Sequence, residues 1–215
     1  SSKKMGLTRK EISQITKLPP NGTLTKIIEN LVNSEFVRSY QFFGNKKQDS
    51  LYQISDYFTL FYYKFLKNNS GKDERFWSNS IDNPSVKAWE GFTFEQVCKD
   101  HIQQIKKKLG ISGILTEVSS WFSKSTDKAD GAQIDMLIDR RDKVINICEM
   151  KFAATEYEID KDYEKKLINK IECFRKETAS KKALHLTMLT TYGIKQNSHS
   201  GRIQSEVTMD DLFEP

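Results

Sequence analysis

Apolar residues near the start of the chain recur at helical spacing. In LTRKEISQIT (7–16), Leu7, Ile12 and Ile15 fall on one side, with Thr8 as N-cap and Glu11 three residues on, the capping-box interval. Lys17-Leu18-Pro19-Pro20-Asn21-Gly22 reads as a turn, because consecutive prolines cannot continue a helix. Thr23 starts a second helix, in which Leu24, Ile27, Ile28, Leu31 and Val32 form the stripe expected to face inward. FVRSYQFFG and SLYQI, rich in aromatic and β-branched residues, flank a polar stretch at 45–49 and predict a β-hairpin with a basic tip.

Two helices joined by a tight turn and followed by a hairpin spell a winged helix-turn-helix. That fold usually has another helix ahead of the pair. Only Ser1-Ser2-Lys3-Lys4-Met5 precedes it here, so a segment of a longer chain is expected. DYFTLFYYKFL (56–66) predicts an aromatic helix that packs this module onto the next domain, its rings reading as core rather than as a ligand box. The polar, turn-rich stretch after it marks the boundary, giving a module at 1–68, a linker at 69–84 and a second domain at 85–215.

The second domain opens with a helix over 86–109, with Phe94, Val97, Cys98, His101, Ile102, Ile105 and Leu109 on one face and Gly110 as C-cap. Strands come next at 114–123, 132–140 and 144–152, then a helix over 161–178 with Tyr163, Leu167, Ile171 and Phe174 as its stripe. A strand at 183–193 and VTMDDLF (207–213) complete the pattern. The order is αβββαβ around a central mixed sheet, so the fold class is α+β.

Composition narrows the setting. At 37% hydrophobic and 29% charged residues, the 215-residue chain has too many core formers to be disordered. No apolar run approaches the roughly 18 residues of a membrane span, so no membrane partner is expected. Three cysteines, Cys98, Cys148 and Cys173, do not make a secreted disulfide scaffold, which points to a reducing, cytoplasmic setting. Residues 1–70 hold 11 Lys/Arg and 5 Asp/Glu, a net +6 within a whole-chain +5. The excess therefore belongs to the first module, as either a polyanion-binding surface or an ordinary Lys-rich one. Thr25, Lys26 and Asn33 on its second helix, with Lys46 and Lys47 at the hairpin tip, form the DNA-facing set if it binds DNA rather than acting as a spacer.

Chemistry concentrates on two neighbouring strands. Strand alternation puts Ile145, Ile147, Glu149 and Lys151 on one face, and a Glu and a Lys ending an apolar strand need a partner or a metal. Asp135 on the preceding strand becomes a near neighbour of Glu149 if the turn around Arg141-Asp142-Lys143 holds an odd number of residues, and an even number would break the alignment. Asp135, Glu149 and the Met150 carbonyl would supply hard oxygen ligands for Mg²⁺ or Mn²⁺, with Glu95 as a further carboxylate and Lys151 offsetting charge on a phosphate. The alternative is a structural ion-pair cluster. Cys98 and His101 have the spacing of half a zinc site, but both lie on the apolar stripe and read as core. Cys148 also reads as core, and His185 and His199 have no partner visible in the sequence.

Asp135 upstream of Glu149-Met150-Lys151 resembles the PD-(D/E)xK, or restriction-endonuclease-like, superfamily, although Ile134 stands where a proline often precedes the Asp. GLTRKEI, GTLTKIIENL, YQISDYF (52–58), GFTFEQVCKDHI, GAQIDMLIDRRDKVINICEMKF and VTMDDLF, spread over nearly the whole chain, resemble the C-terminal half of archaeal-type AAA+ ATPases. The resemblance implies a P-loop ATPase module upstream in the same polypeptide and a Mg²⁺-dependent nuclease domain or an inactive scaffold of that fold; an oligomer is compatible with it. No G-x-x-x-x-G-K-[ST] occurs in this chain, so ATP would bind only to the upstream module.

Overall fold

Residues 6–44, 50–67, 73–123 and 131–214 are described by a computed structural model. The contacts cluster into two units, 1–87 and 88–215. The division falls inside a helix rather than in a linker at 69–84.

In the first unit, β1 (Leu7–Thr8) leads into α1 (Arg9–Thr16), followed by α2 (Gly22–Asn33), β2 (Val37–Tyr40) and β3 (Leu51–Ile54). The expected capping box is present: the Glu11 amide donates to Thr8 Oγ1 at 3.2 Å, and the Thr8 amide donates to the Glu11 carboxylate at 2.8 Å. Helix α2 starts one residue earlier than predicted because Asn21 Oδ1 accepts from the Thr23 and Leu24 amides at 3.0 and 3.3 Å. Strand β3 is central in an antiparallel sheet of order β1-β3-β2. Gly6, at φ +78°, admits that pairing, since a Cβ there would sit 2.7 Å from the Tyr52 carbonyl oxygen.

Apolar coverage in this unit is partial. Leu24, Ile28, Leu51 and Phe65 are buried, whereas Ile15, Ile27 and Leu31, all expected to face inward, are exposed. The predicted aromatic helix is α3 (Tyr57–Phe61), continued by a π-helical turn over Tyr62–Leu66. Its rings divide between two environments. Phe61 and Phe65 join Phe76 and Trp77 in one cluster, while Phe58, Tyr62 and Tyr63 are exposed, so this stripe is core only in part.

The predicted helix over 86–109 is two helices, α4 (Pro84–Asp100) and α5 (Ile102–Lys108). They meet at His101, whose amide and Nδ1–H both donate to the Val97 carbonyl, at 3.1 and 2.8 Å. Beyond them lie strands β4 (Thr116–Ser123), β5 (Ala132–Arg140) and β6 (Val144–Lys151), helix α6 (Lys161–Thr178), and strands β7 (Ala183–Thr190) and β8 (Ser205–Thr208). The sheet is mixed, of order β4-β5-β6-β7-β8, antiparallel from β4 to β6 and parallel from β6 to β8.

Both faces of that sheet are covered. Met136, Ile138, Cys148, Met150 and Leu189 form one core with Phe94 and Cys98 of α4 and Ile105 of α5. Helix α6 lies over the other face, where Phe174 meets Trp121 edge-on with centroids 5.3 Å apart. Among the described residues no helix is long and apolar enough to cross a membrane.

Candidate active site

The hairpin between β5 and β6 turns through three residues, Arg141, Asp142 and Lys143, with Lys143 left-handed at φ +68°. The odd count is the one that aligns Asp135 with Glu149. The register runs Asp139–Ile145, Ile138–Asn146, Leu137–Ile147, Met136–Cys148, and one further step along it falls on Asp135 and Glu149. The ladder stops before that step. Beyond it β5 continues against β4 to Ala132, and β6 continues against β7 to Lys151. The sheet therefore splits between β5 and β6 at the two carboxylates.

A bulge marks the split. Leu137 pairs with Ser119 and Ile134 with Trp121, so Asp135 and Met136 together oppose the single residue Ser120. The Ser120 hydroxyl donates to the Asp135 carbonyl at 2.8 Å, satisfying a backbone acceptor near the break. A bulge resets strand alternation, so counting from Leu137 does not fix the side on which Asp135 presents its carboxylate. That carboxylate accepts from the Gln133 side chain two residues back.

Glu149 is buried and is held from α6. Tyr163 Oη donates to its Oε1 at 2.5 Å, and Lys170 Nζ donates to its Oε2 at 2.5 Å. Lys151, on the same strand face as predicted, lies 3.4 Å from Oε1 and 5.0 Å from the centroid of the Tyr163 ring. A buried carboxylate needs this company, because an unpaired one would cost several kcal/mol. Asp160 caps α6 by accepting from the Tyr163 amide at 2.7 Å, which fixes the residue carrying the phenol. Tyr157, anchored between β6 and α6 by a bridge to Ile194, places its ring 5.4 Å from that of Tyr163. Burial, and then the Glu149 charge, push the phenols of Tyr163 and Tyr157 above the ordinary tyrosine range.

Sequence reasoning missed Tyr163 as a polar contributor and missed Lys170 altogether. A signal was present: seven residues apart, they share one helix face two turns along, which puts an ammonium beside an apolar stripe.

Other expected residues lie elsewhere. Glu95 is half-buried on α4, the helix whose Phe94 and Cys98 pack with Cys148 and Met150. Cys98 is buried, its thiol pushed up by burial, and His101 packs its ring 4.8 Å from Phe213. Cys148 is buried in the same core. His199 does have a partner: its Nδ1 lies 2.7 Å from a Glu164 carboxylate oxygen. In the first unit, Lys26 and Asn33 are exposed on α2, while the half-buried Thr25 donates its hydroxyl to the Asn21 carbonyl at 3.2 Å. Lys46 and Lys47 lie outside the described residues.

The groups at the split are the Asp135 carboxylate on β5 and, on β6, the Glu149 carboxylate with its two ammonium neighbours, Lys151 and Lys170. That chemistry fits a hard divalent cation together with a phosphate oxyanion. Among the described residues no three His, Cys, Asp or Glu side chains gather into a metal-binding group, so two carboxylates and the Met150 carbonyl would carry the protein's share. No protein-family model matches the chain, and neither a curated protein nor a solved structure matches it.

Proposed function

We propose that the second unit is a divalent-metal-dependent DNA endonuclease domain of the restriction-endonuclease-like type. In this reading the first unit is a DNA-binding winged helix, and the chain is the C-terminal part of an AAA+ ATPase. The observation that carries the reading is the split in the sheet, which opens where the β5–β6 register brings Asp135 and Glu149 level and leaves Glu149-Met150-Lys151 paired to β7 alone.

Asp135, Glu149 and the Met150 carbonyl would hold Mg²⁺ or Mn²⁺, which when bound supplies Lewis acidity and lowers the pKa of water. Lys151 and Lys170 face the anionic part of the substrate, where ammonium groups offset charge developing on phosphoryl oxygens. Tyr163 holds Glu149 in place by hydrogen bond, and its raised pKa keeps the phenol protonated as the donor.

The test is plasmid cleavage by the pure chain with Mg²⁺ or Mn²⁺. Glu149→Ala and Asp135→Ala are each expected to lower the rate by roughly 10²–10³ or more. Cleavage that survives either change would sink the assignment.

A second reading is an inactive nuclease-fold module that binds DNA or regulates the ATPase. One observation favours it: both Glu149 oxygens are already taken, by Tyr163 and Lys170. Calorimetric titration with Mn²⁺ separates the two. Heat that disappears in Glu149→Ala supports the enzyme, and no heat from the wild type supports the scaffold.

A further inference from the structure

We infer that the aromatic turn at 57–67 in the first unit is a stacking platform for single-stranded nucleic acid, distinct from the α2 surface. Phe58, Tyr62 and Tyr63 are 69%, 42% and 60% exposed. They form one patch, because the Phe58 and Tyr62 centroids are 6.4 Å apart and those of Tyr62 and Tyr63 5.4 Å apart. Contiguous exposed rings are costly to hydrate and mark interaction surfaces. The buried side of the same turn, Phe65 against Phe76 and Trp77, anchors the platform from behind.

The backbone adds an independent sign. The Lys67 amide donates to the Tyr62 carbonyl at 2.8 Å, an i→i+5 bond of a π-helical turn. Such turns are rare in helices and concentrate at functional sites.

Charge selects the occupant. Residues 57–67 carry Lys64 and Lys67 and no Asp or Glu, within the segment that holds the net +6. Lys67 Nζ stands 5.2 Å from the Tyr63 ring centroid, so a cation for a phosphate and a face for a base lie side by side. Bases in a duplex have their faces covered, and only an unpaired strand offers them to exposed rings. Single-stranded DNA or RNA shares that chemistry, and the 2′-hydroxyl alone distinguishes them. The inference does not rest on the nuclease reading, since it uses none of the residues at the split.

The experiment is fluorescence anisotropy of labelled oligo(dT) with the full chain, in EDTA so that metal plays no part. Phe58→Ala/Tyr62→Ala/Tyr63→Ala is expected to weaken binding by about tenfold or more, since each base–ring stack contributes measurably. Because the removed rings are exposed, far-UV circular dichroism should be unchanged. Tyr63→Phe should bind as the wild type does and Tyr63→Leu should not, which separates stacking from general apolar contact. Ile81→Ala, which removes an equally exposed apolar side chain elsewhere, should change nothing. An abasic strand of the same length should bind the wild type about tenfold more weakly. Oligo(rU) in place of oligo(dT) should bind with similar affinity. The inference is overturned if the wild type does not bind oligo(dT), if the triple variant binds it equally well, or if the abasic strand is equivalent. It is also overturned if the triple variant loses only self-association or vesicle binding.

Discussion

The two units treat apolar side chains differently. In the second, Ile134, Leu137, Ile138, Ile145, Ile147, Leu186, Met188 and Leu189 are at most 1% exposed, because helices cover both faces of a five-stranded sheet. In the first, Ile15, Leu18, Ile27, Leu31 and Phe36 stand 39–61% exposed around a three-stranded sheet whose longest strands have four residues. Helical periodicity is as clear in α2 as in α6. Covering a stripe needs area on the facing element, however, and the small sheet has little to offer. Among the described residues, what the small sheet does not cover stays exposed.

The largest expected contrast is in stability. Phe174→Ala, at a fully buried ring against Trp121, should cost about 3–5 kcal/mol in urea unfolding. Ile15→Ala and Leu31→Ala should each cost under about 0.5 kcal/mol. An equal cost for Leu31→Ala would mean that its side of α2 is covered, and the contrast between the units would fail.

An intermediate effect belongs to the candidate site. Lys170→Met should destabilise by about 1–3 kcal/mol, because Glu149 keeps only Tyr163 and the more distant Lys151. Adding Glu149→Gln should recover most of that loss, since the neutral amide can still accept from the phenol. A neutral Lys170→Met would show that the ion pair contributes nothing.

The smallest effect is alkaline. With its folded pKa raised above the unfolded value of about 10, Tyr163 contributes fully below that pH, and its contribution is lost as pH climbs above it. Phenolate absorbance should show a late-ionising step, and Tyr163→Phe should delete it. Absence of a late step that Tyr163→Phe deletes would contradict its burial beside Glu149.

Much of the second unit was legible because strand alternation and a short turn leave few registers open. The boundaries of β5 and α6 match the pattern of the residues, and a three-residue turn sets Asp135 level with Glu149. The bulge was not legible: no glycine or proline marks Asp135, and the device that stabilises it is a serine on the neighbouring strand. Lys170 was hidden for a related reason, since one helix does not announce which strand residue lies beneath it. The break at His101 was not legible either, since the apolar spacing runs through it unchanged. In the first unit, periodicity located the apolar sides of α1 and α2 but held no information on whether anything covers them.

The turn at Arg141–Lys143 makes the gene unusually sensitive to its length at a point remote from any chemistry. Loss or gain of one codon there would exchange the two sides of β6, sending Cys148 and Met150 toward α6 and Glu149 and Lys151 into the apolar core beneath α4. A change of two codons would leave those sides as they are. Length variation at this hairpin should therefore be tolerated in pairs, and an odd change should remove both the fold and the candidate site at once.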